Sequence, residues 1–182
     1  GNVLSIQGNT LYDFRSKIEG MRGIHAGSQS TGAGIVVDDN IIRDFEALAD
    51  PTDTNNNKPL EGIVGFSHIR GNTVYNLKAK ANVYGIQSFA GTGNKEISGN
   101  QVYNLVSKGY SQDGITNATK NSGFATGIQT SATAGSLVQN NEINDVYAKE
   151  RATGIYAYDG AGTSTLIDSN IIHKLVGTGV HM

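Results

Sequence analysis

Cysteine is absent from this chain of 182 residues, which excludes disulfides and thiolate chemistry. Proline occurs only twice, against 24 glycines. No apolar run approaches the length of a membrane-spanning helix, so no membrane insertion is expected. Charge of one sign is missing too: 14 basic and 16 acidic residues give a formal net charge of -2. That balance sets up no broad field toward nucleic acid or anionic lipid, and no nucleic-acid partner is expected. No signal peptide is visible; the chain opens GNVLSIQGN, already inside a repeating pattern. Residues 1–182 read as a single domain, a module or fragment of a larger chain.

What the sequence does contain is one Asn returning in one apolar frame. The segments are IQGNTLYDF, VDDNIIRDF, IRGNTVYNL, ISGNQVYNL, VQNNEINDV and IDSNIIHKL. The anchors are Asn9, Asn40, Asn72, Asn100, Asn141 and Asn170, at intervals of 28 to 41 residues. Three residues before them stand Ile6, Val37, Ile69, Ile97, Val138 and Ile167. Two after stand Leu11, Ile42, Val74, Val102, Ile143 and Ile172, and five after stand Phe14, Phe45, Leu77, Leu105, Val146 and Leu175. A second signal lies between anchors: Gly followed by Ile or Val at Gly23, Gly62, Gly85, Gly127, Gly154 and Gly179. These runs are short, alternating and rich in glycine, which suits strands and weakens helices.

Short strands recurring at this period predict an all-β parallel β-helix solenoid of about six coils. The apolar positions should stack inside as columns, and the six Asn as a structural ladder at one corner. Asn tolerates a left-handed corner backbone, and its amide can bond the Asn of the next coil. Two outward columns follow from strand alternation. One is Tyr12, Arg43, Tyr75, Tyr103, Asn144 and His173, in which Tyr75 and Tyr103 should stack. The other is His25, Val64, Gln87, Gln129, Tyr156 and His181, expected on an outer face, with Gln87 and Gln129 in amide contact.

The coils differ most in two insertions, residues 47–61 of coil two and 106–125 of coil four. Insertions at one phase of a solenoid project from one face and often form its binding surface. They flank the short connection KAKAN at 78–82, which suggests a shallow groove. The first carries Asp50, Asp53, Lys58 and Glu61, the second Lys108, Tyr110, Asp113 and Lys120, with Lys78 and Lys80 between. Such a set suits an acidic or hydroxyl-rich ligand. The candidate ligand-binding residues are therefore Tyr75, Tyr103, Lys78, Lys80, Lys108, Tyr110, Asp113, Gln87 and Gln129. The stretch Asp-Pro-Thr-Asp-Thr-Asn at 50–55 looks superficially like an oxygen-rich calcium loop but lacks EF-hand spacing. No other cofactor is expected.

No catalytic constellation emerges. Asp13, Asp44 and Asp145 share a phase with Asn76, Asn104 and Lys174, an interchange that suits a turn better than acid–base chemistry. Asp38 and Asp39 sit beside one anchor, Asp168 occupies the Asp38 phase beside another, and the equivalent residues elsewhere are small or polar. The histidines His25, His68, His173 and His181 form no zinc pattern. There is no nucleophile elbow, phosphate loop or dinucleotide fingerprint.

On its six Asn frames and its Gly-Ile and Gly-Val signals, over residues 4–181, the chain resembles the right-handed parallel β-helix repeat proteins of the pectate lyase-like superfamily. The resemblance implies right-handed coiling and a secreted or cell-surface setting. It carries no catalytic residue to a numbered position, because the calcium-binding acids and catalytic Arg of pectate lyases have no convincing counterparts. The leading expectation is a non-catalytic module presenting a rigid face to a glycan or surface protein. A polysaccharide lyase or glycoside hydrolase working between the two insertions is the alternative. A self-assembling structural protein is the third reading. The ends lack polar caps, which points to end-to-end self-association or continuation into flanking domains.

Overall fold

The structure is a computed structural model. It describes residues 4–17, 20–27, 35–47, 58–65, 68–89, 95–109, 123–132, 136–159 and 164–178. Coil one comprises β1 (Leu4–Gln7), β2 (Thr10–Ser16) and β3 (Arg22–Ala26). Coil two holds β4 (Ile35–Asp38), β5 (Ile41–Ala47) and β6 (Leu60–Gly65). Coil three holds β7 (His68–Arg70), β8 (Thr73–Ala79) and β9 (Val83–Ser88). Coil four holds β10 (Lys95–Ser98), β11 (Gln101–Ser107) and β12 (Phe124–Ala132). Coil five holds β13 (Ser136–Gln139), β14 (Glu142–Ala148) and β15 (Arg151–Asp159). Coil six contributes β16 (Thr165–Asp168) and β17 (Ile171–Gly177).

Each strand pairs with its equivalents one coil away, always in parallel. The result is three sheets of six, six and five strands. No helix occurs among the described residues, and so none there could cross a membrane. The fold is a parallel β-helix. Its all-parallel, three-sheet architecture is consistent with right-handed coiling, the hand that parallel crossovers almost always take.

The apolar frame becomes the core. Val37, Ile69, Ile97 and Val138 line the first sheet; Ile42, Val74, Val102 and Ile143 line the second, with Phe45, Leu77, Leu105 and Val146 beside them. The last two columns are three residues apart, although simple alternation puts successive inward residues two apart. The reason is a left-handed residue between them in every coil: Asp13, Asp44, Asn76, Asn104, Asp145 and Lys174 all have φ between 53° and 60°. Pairing steps over it, running from Tyr103↔Tyr75 to Leu105↔Leu77. A left-handed residue stacked at the same place in every coil bends the whole sheet and returns a second apolar side chain to the interior. The turn expected at this phase is therefore present, as a bend inside each second-sheet strand.

The six anchors form a continuous amide ladder. The Nδ2 of Asn40 donates to Asn72 Oδ1 at 3.0 Å, that of Asn72 to Asn100 Oδ1 at 3.0 Å and that of Asn100 to Asn141 Oδ1 at 2.9 Å. Asn9 and Asn141 extend it to Asn40 and Asn170. The backbone N–H of each donor Asn reaches the same oxygen. One expectation needs correction. The left-handed corner residue is not the Asn but its predecessor: Gly8, Asp39, Gly71, Gly99, Asn140 and Ser169 have φ between 53° and 68°. The turn made there leaves the Asn to face inward, where its amide satisfies carbonyls buried between coils, such as Ile69 O and Ile97 O.

The Gly-Ile signal has a packing cause. A Cβ on Gly85 would lie 2.3 Å from Val102 Cγ1 and 2.7 Å from the carbonyl oxygen of Gly127. The third sheet passes so close to the second-sheet Val and Ile column that only glycine fits.

Candidate functional site

Both sequence insertions fall at the turn from the second sheet to the third, between β5 and β6 and between β11 and β12. Coil three turns there within residues 80–82. The residues of the groove expected between them divide accordingly. Tyr110, Asp113, Lys120, Asp50 and Asp53, with the calcium-like stretch 50–55, lie outside the described residues. Among the described residues no cluster of three or more His, Cys, Asp or Glu could hold a metal. Glu61 is corrected: it belongs to β6, is only 2% exposed and pairs with Arg22 of β3. A carboxylate buried against one guanidinium is a structural pair, unavailable to a ligand.

The outer face of the second sheet is built in rows, one residue per coil. In the first row the Arg43 guanidinium sits 4.7 Å over the Tyr12 ring. Tyr75 and Tyr103 stack with centroids 4.7 Å apart and planes 10° from parallel. Each ring therefore spends one face on its neighbour. Burial raises the Tyr103 hydroxyl above the usual tyrosine range, with the neighbouring Tyr75 and Asp44 adding to it. The row continues through Asn144 to His173, whose Nε2 lies 3.7 Å from Glu142.

The second row consists of the left-handed bend residues. Asn104 Nδ2 donates to Asn76 Oδ1, and Asn76 Nδ2 donates to Asp44 Oδ1 at 2.7 Å. That bond, reinforced by Arg43, holds the Asp44 carboxyl below the usual carboxylate range. An acid so held stays ionised at neutral pH and serves poorly as a proton donor. On the first sheet Asp38 accepts two bonds from Arg70, at 3.1 and 2.7 Å, and Glu96 lies 3.9 Å from the same guanidinium. These acids too are occupied by cross-strand pairing.

At the corner beyond this sheet the lysines converge. Ala79, Ser107 and Ala148 are register partners on successive strands. The next residues are Lys80, Lys108 and Lys149, and the register carries on through Lys108 N–H to Ala79 O at 2.9 Å and Lys149 N–H to Ser107 O at 3.0 Å. Three cations thus stand at one phase of three successive coils, about one strand spacing (~4.8 Å) apart at the backbone. Lys108 and Lys149 also line a concavity of about 260 Å³ with Tyr147, Val176 and Thr178. Lys78 lies apart, its Nζ 3.5 Å from Glu46 Oε1. Lys149 and Tyr147 were missed in the sequence, although the signal was there: Lys17, Lys80, Lys108 and Lys149 all fall eight residues after an anchor Asn.

The third-sheet column departs from an outer solvent face. Gln87 Nε2 donates to Gln129 Oε1 at 3.1 Å, but Gln87 is only 7% exposed and Val64 is buried. Outward orientation does not bring solvent contact in these central coils; His25 and Tyr156 nearer the ends are exposed, and His181 lies outside the described residues. Gln87 is thereby removed from the accessible set.

Compared with known proteins, the chain matches no family model, no curated protein and no solved structure.

Proposed function

We propose that this chain is a non-catalytic, secreted or cell-surface β-helix module whose second sheet and adjoining corner bind an anionic glycan or an acidic protein surface. The observation that carries this reading is the in-register row Lys80, Lys108 and Lys149. Cations repeated at one strand spacing match a ligand that carries anionic groups at a regular spacing. The concavity beside Lys108 and Lys149 offers Tyr147 and Val176 as an apolar floor. The Tyr75–Tyr103 stack and the Asn76–Asn104 amide pair extend the face with ring edges, hydroxyls and amides. A face made of paired strands is preorganised, so little ordering is needed on binding.

The test is calorimetric titration with oligosaccharides carrying carboxylate or sulfate groups, alongside neutral ones of equal length. The anionic set should bind more tightly, with affinity falling as salt rises. Replacing Lys80, Lys108 and Lys149 together by Ala should weaken binding by about ten-fold or more. Equal binding of neutral and anionic sugars, or indifference to the triple substitution, would sink the reading. Release of new chain ends from an anionic polysaccharide by the purified protein would replace it with the enzymatic one.

A further inference from the structure

Lys149 is seated on two glycines. A Cβ placed on Gly109 would overlap Lys149 Cδ and lie 2.9 Å from its Cβ. One placed on Gly123 would lie 3.0 Å from Lys149 Cβ and 3.2 Å from Gly109 Cα. The two glycines therefore meet, and the aliphatic stem of Lys149 runs along the bare backbone where they do. Both have a left-handed backbone, with φ of 65° and 87°. Both are buried, although Lys149 itself is exposed. A long cationic side chain covers the surface beneath it in this way while its charged head stays in water.

The main chain of Lys149 is tied as well. Its N–H donates to Ser107 O at 3.0 Å, and its carbonyl accepts from Thr178 Oγ1 at 2.9 Å. The next N–H, that of Glu150, donates to Gly123 O at 3.0 Å. Stem and backbone are thus both held by neighbouring coils. Lys108, one coil earlier, lacks this seat. The continued register puts Ala81 where Gly109 stands in the next coil, and Ala81 carries the Cβ that so close an approach forbids. Tyr147 projects from the same strand face two residues before Lys149, and both line the concavity of about 260 Å³ with Lys108. Coil five has a described strand on each side, β11 and β17, so this corner lies inside the stack.

We propose that Lys149 is the specificity-determining lysine of the row, with Gly109 and Gly123 as positioning residues that hold its ammonium beside Tyr147. This rests on the reading of the corner as a site for an anionic ligand. A lysine already seated by its stem loses less side-chain freedom on capturing an anionic group than one that must be ordered by the ligand. The corner therefore selects a ligand whose anionic group falls at the Lys149 ammonium while an apolar part lies over Tyr147. Lys108, at the same concavity but without the glycine seat, adds attraction that depends less on where the ligand's charge falls.

Titration with a sulfated dextran oligosaccharide, against unsulfated dextran of the same length, tests this. Lys149→Met keeps the stem and removes the charge. It should leave the melting temperature unchanged and weaken binding of the sulfated probe about five-fold. Lys108→Met should weaken it about two-fold or less. Gly109→Asn tolerates the left-handed backbone but drives a Cβ into the Lys149 stem, and should weaken binding as much as Lys149→Met does. In the Lys149→Met background the same change should cost nothing further, since the charge it displaces is already gone. Equal losses from Lys108→Met and Lys149→Met overturn the proposal. So does a Gly109→Asn loss that persists undiminished in the Lys149→Met background, because it then acts on the corner as a whole. Equal binding of the sulfated and unsulfated probes by the 182-residue chain removes the anionic-ligand reading itself, and this proposal with it.

Discussion

Asn100 is buried and engaged at every polar atom. Its N–H and Nδ2 reach Asn141 Oδ1, its Nδ2 also reaches Ile69 O, and its Oδ1 accepts from Asn72. Asn100→Ala leaves the buried Asn72 N–H and Ile69 carbonyl without these partners. At roughly 1–3 kcal/mol per unsatisfied group, a loss of about 3 kcal/mol is expected in urea unfolding. Asn9→Ala at the exposed end should cost well under ~1 kcal/mol, since water replaces what is lost. Equal costs would show that the ladder adds nothing beyond turn formation. Lys95 makes the opposite argument. It shares register with the inward-facing Ser136, is 5% exposed, and burial lowers its ammonium to about 8. The unfolded chain, with the ordinary lysine value, binds more protons between pH 8 and 10.5, so this group makes stability rise with pH across that window. Its full penalty, up to about 3 kcal/mol, applies at neutral pH. Lys95→Met should stabilise the protein at pH 7, with a gain that shrinks toward pH 10.5. The measurement is the wild-type minus variant difference in unfolding free energy at each pH, which cancels the opposing titration of Tyr84 and Tyr103, both raised above 10.0 by burial. A difference that stays flat with pH would contradict the burial cause.

At the scale of the element, two glycines of adjacent coils play unlike parts. Gly85 sits in β9 with no room for a Cβ, whereas Gly99 occupies a left-handed corner whose ideal Cβ would meet nothing nearer than the Gly71 nitrogen at 3.9 Å. Gly85→Ala should cost about 3 kcal/mol or more through overpacking against Val102 and the Gly127 carbonyl. Gly99→Asn should cost well under ~1 kcal/mol, because Asn140 already holds the same corner in the next coil. Thermal melting of the two variants checks the contrast, and comparable melting temperatures would refute it. The same two positions show how far the sequence was readable. The inward columns and the Asn ladder recur identically in six frames, so pattern alone exposed them. The corner position alternates among Gly, Asp, Asn and Ser, residues united by tolerance of positive φ rather than by chemistry, and the more conspicuous Asn beside it drew the assignment. The lysine row lay three positions past the last apolar residue of each frame, where no hydrophobic period pointed. The burial of Glu61, Val64 and Gln87 could not be read from the repeat. It depends on what covers an outward face, and nothing in the repeated frame encodes that.

For the whole molecule, the described strands touch only strands of their own coil or of an adjacent one, so stability should be graded along the axis. Amides of β8, β9 and β11, with a coil on both sides, should exchange with solvent most slowly. Those of β1, β2, β16 and β17, with a described coil on one side alone, should exchange fastest in the 182-residue chain. Uniform protection from end to end would mean that the coils unfold as one unit. The one-way amide ladder also bears on how such a molecule acquires its length. Each Asn asks only for a donor on one side and an acceptor on the other, and every neighbouring coil supplies both. Excising a stretch from one anchor to the next, such as residues 72–99, joins Asn40 to Asn100 with the same chemistry that now joins Asn40 to Asn72. Length is thus a free variable in steps of one turn, open to duplication or loss without any new junction having to be invented.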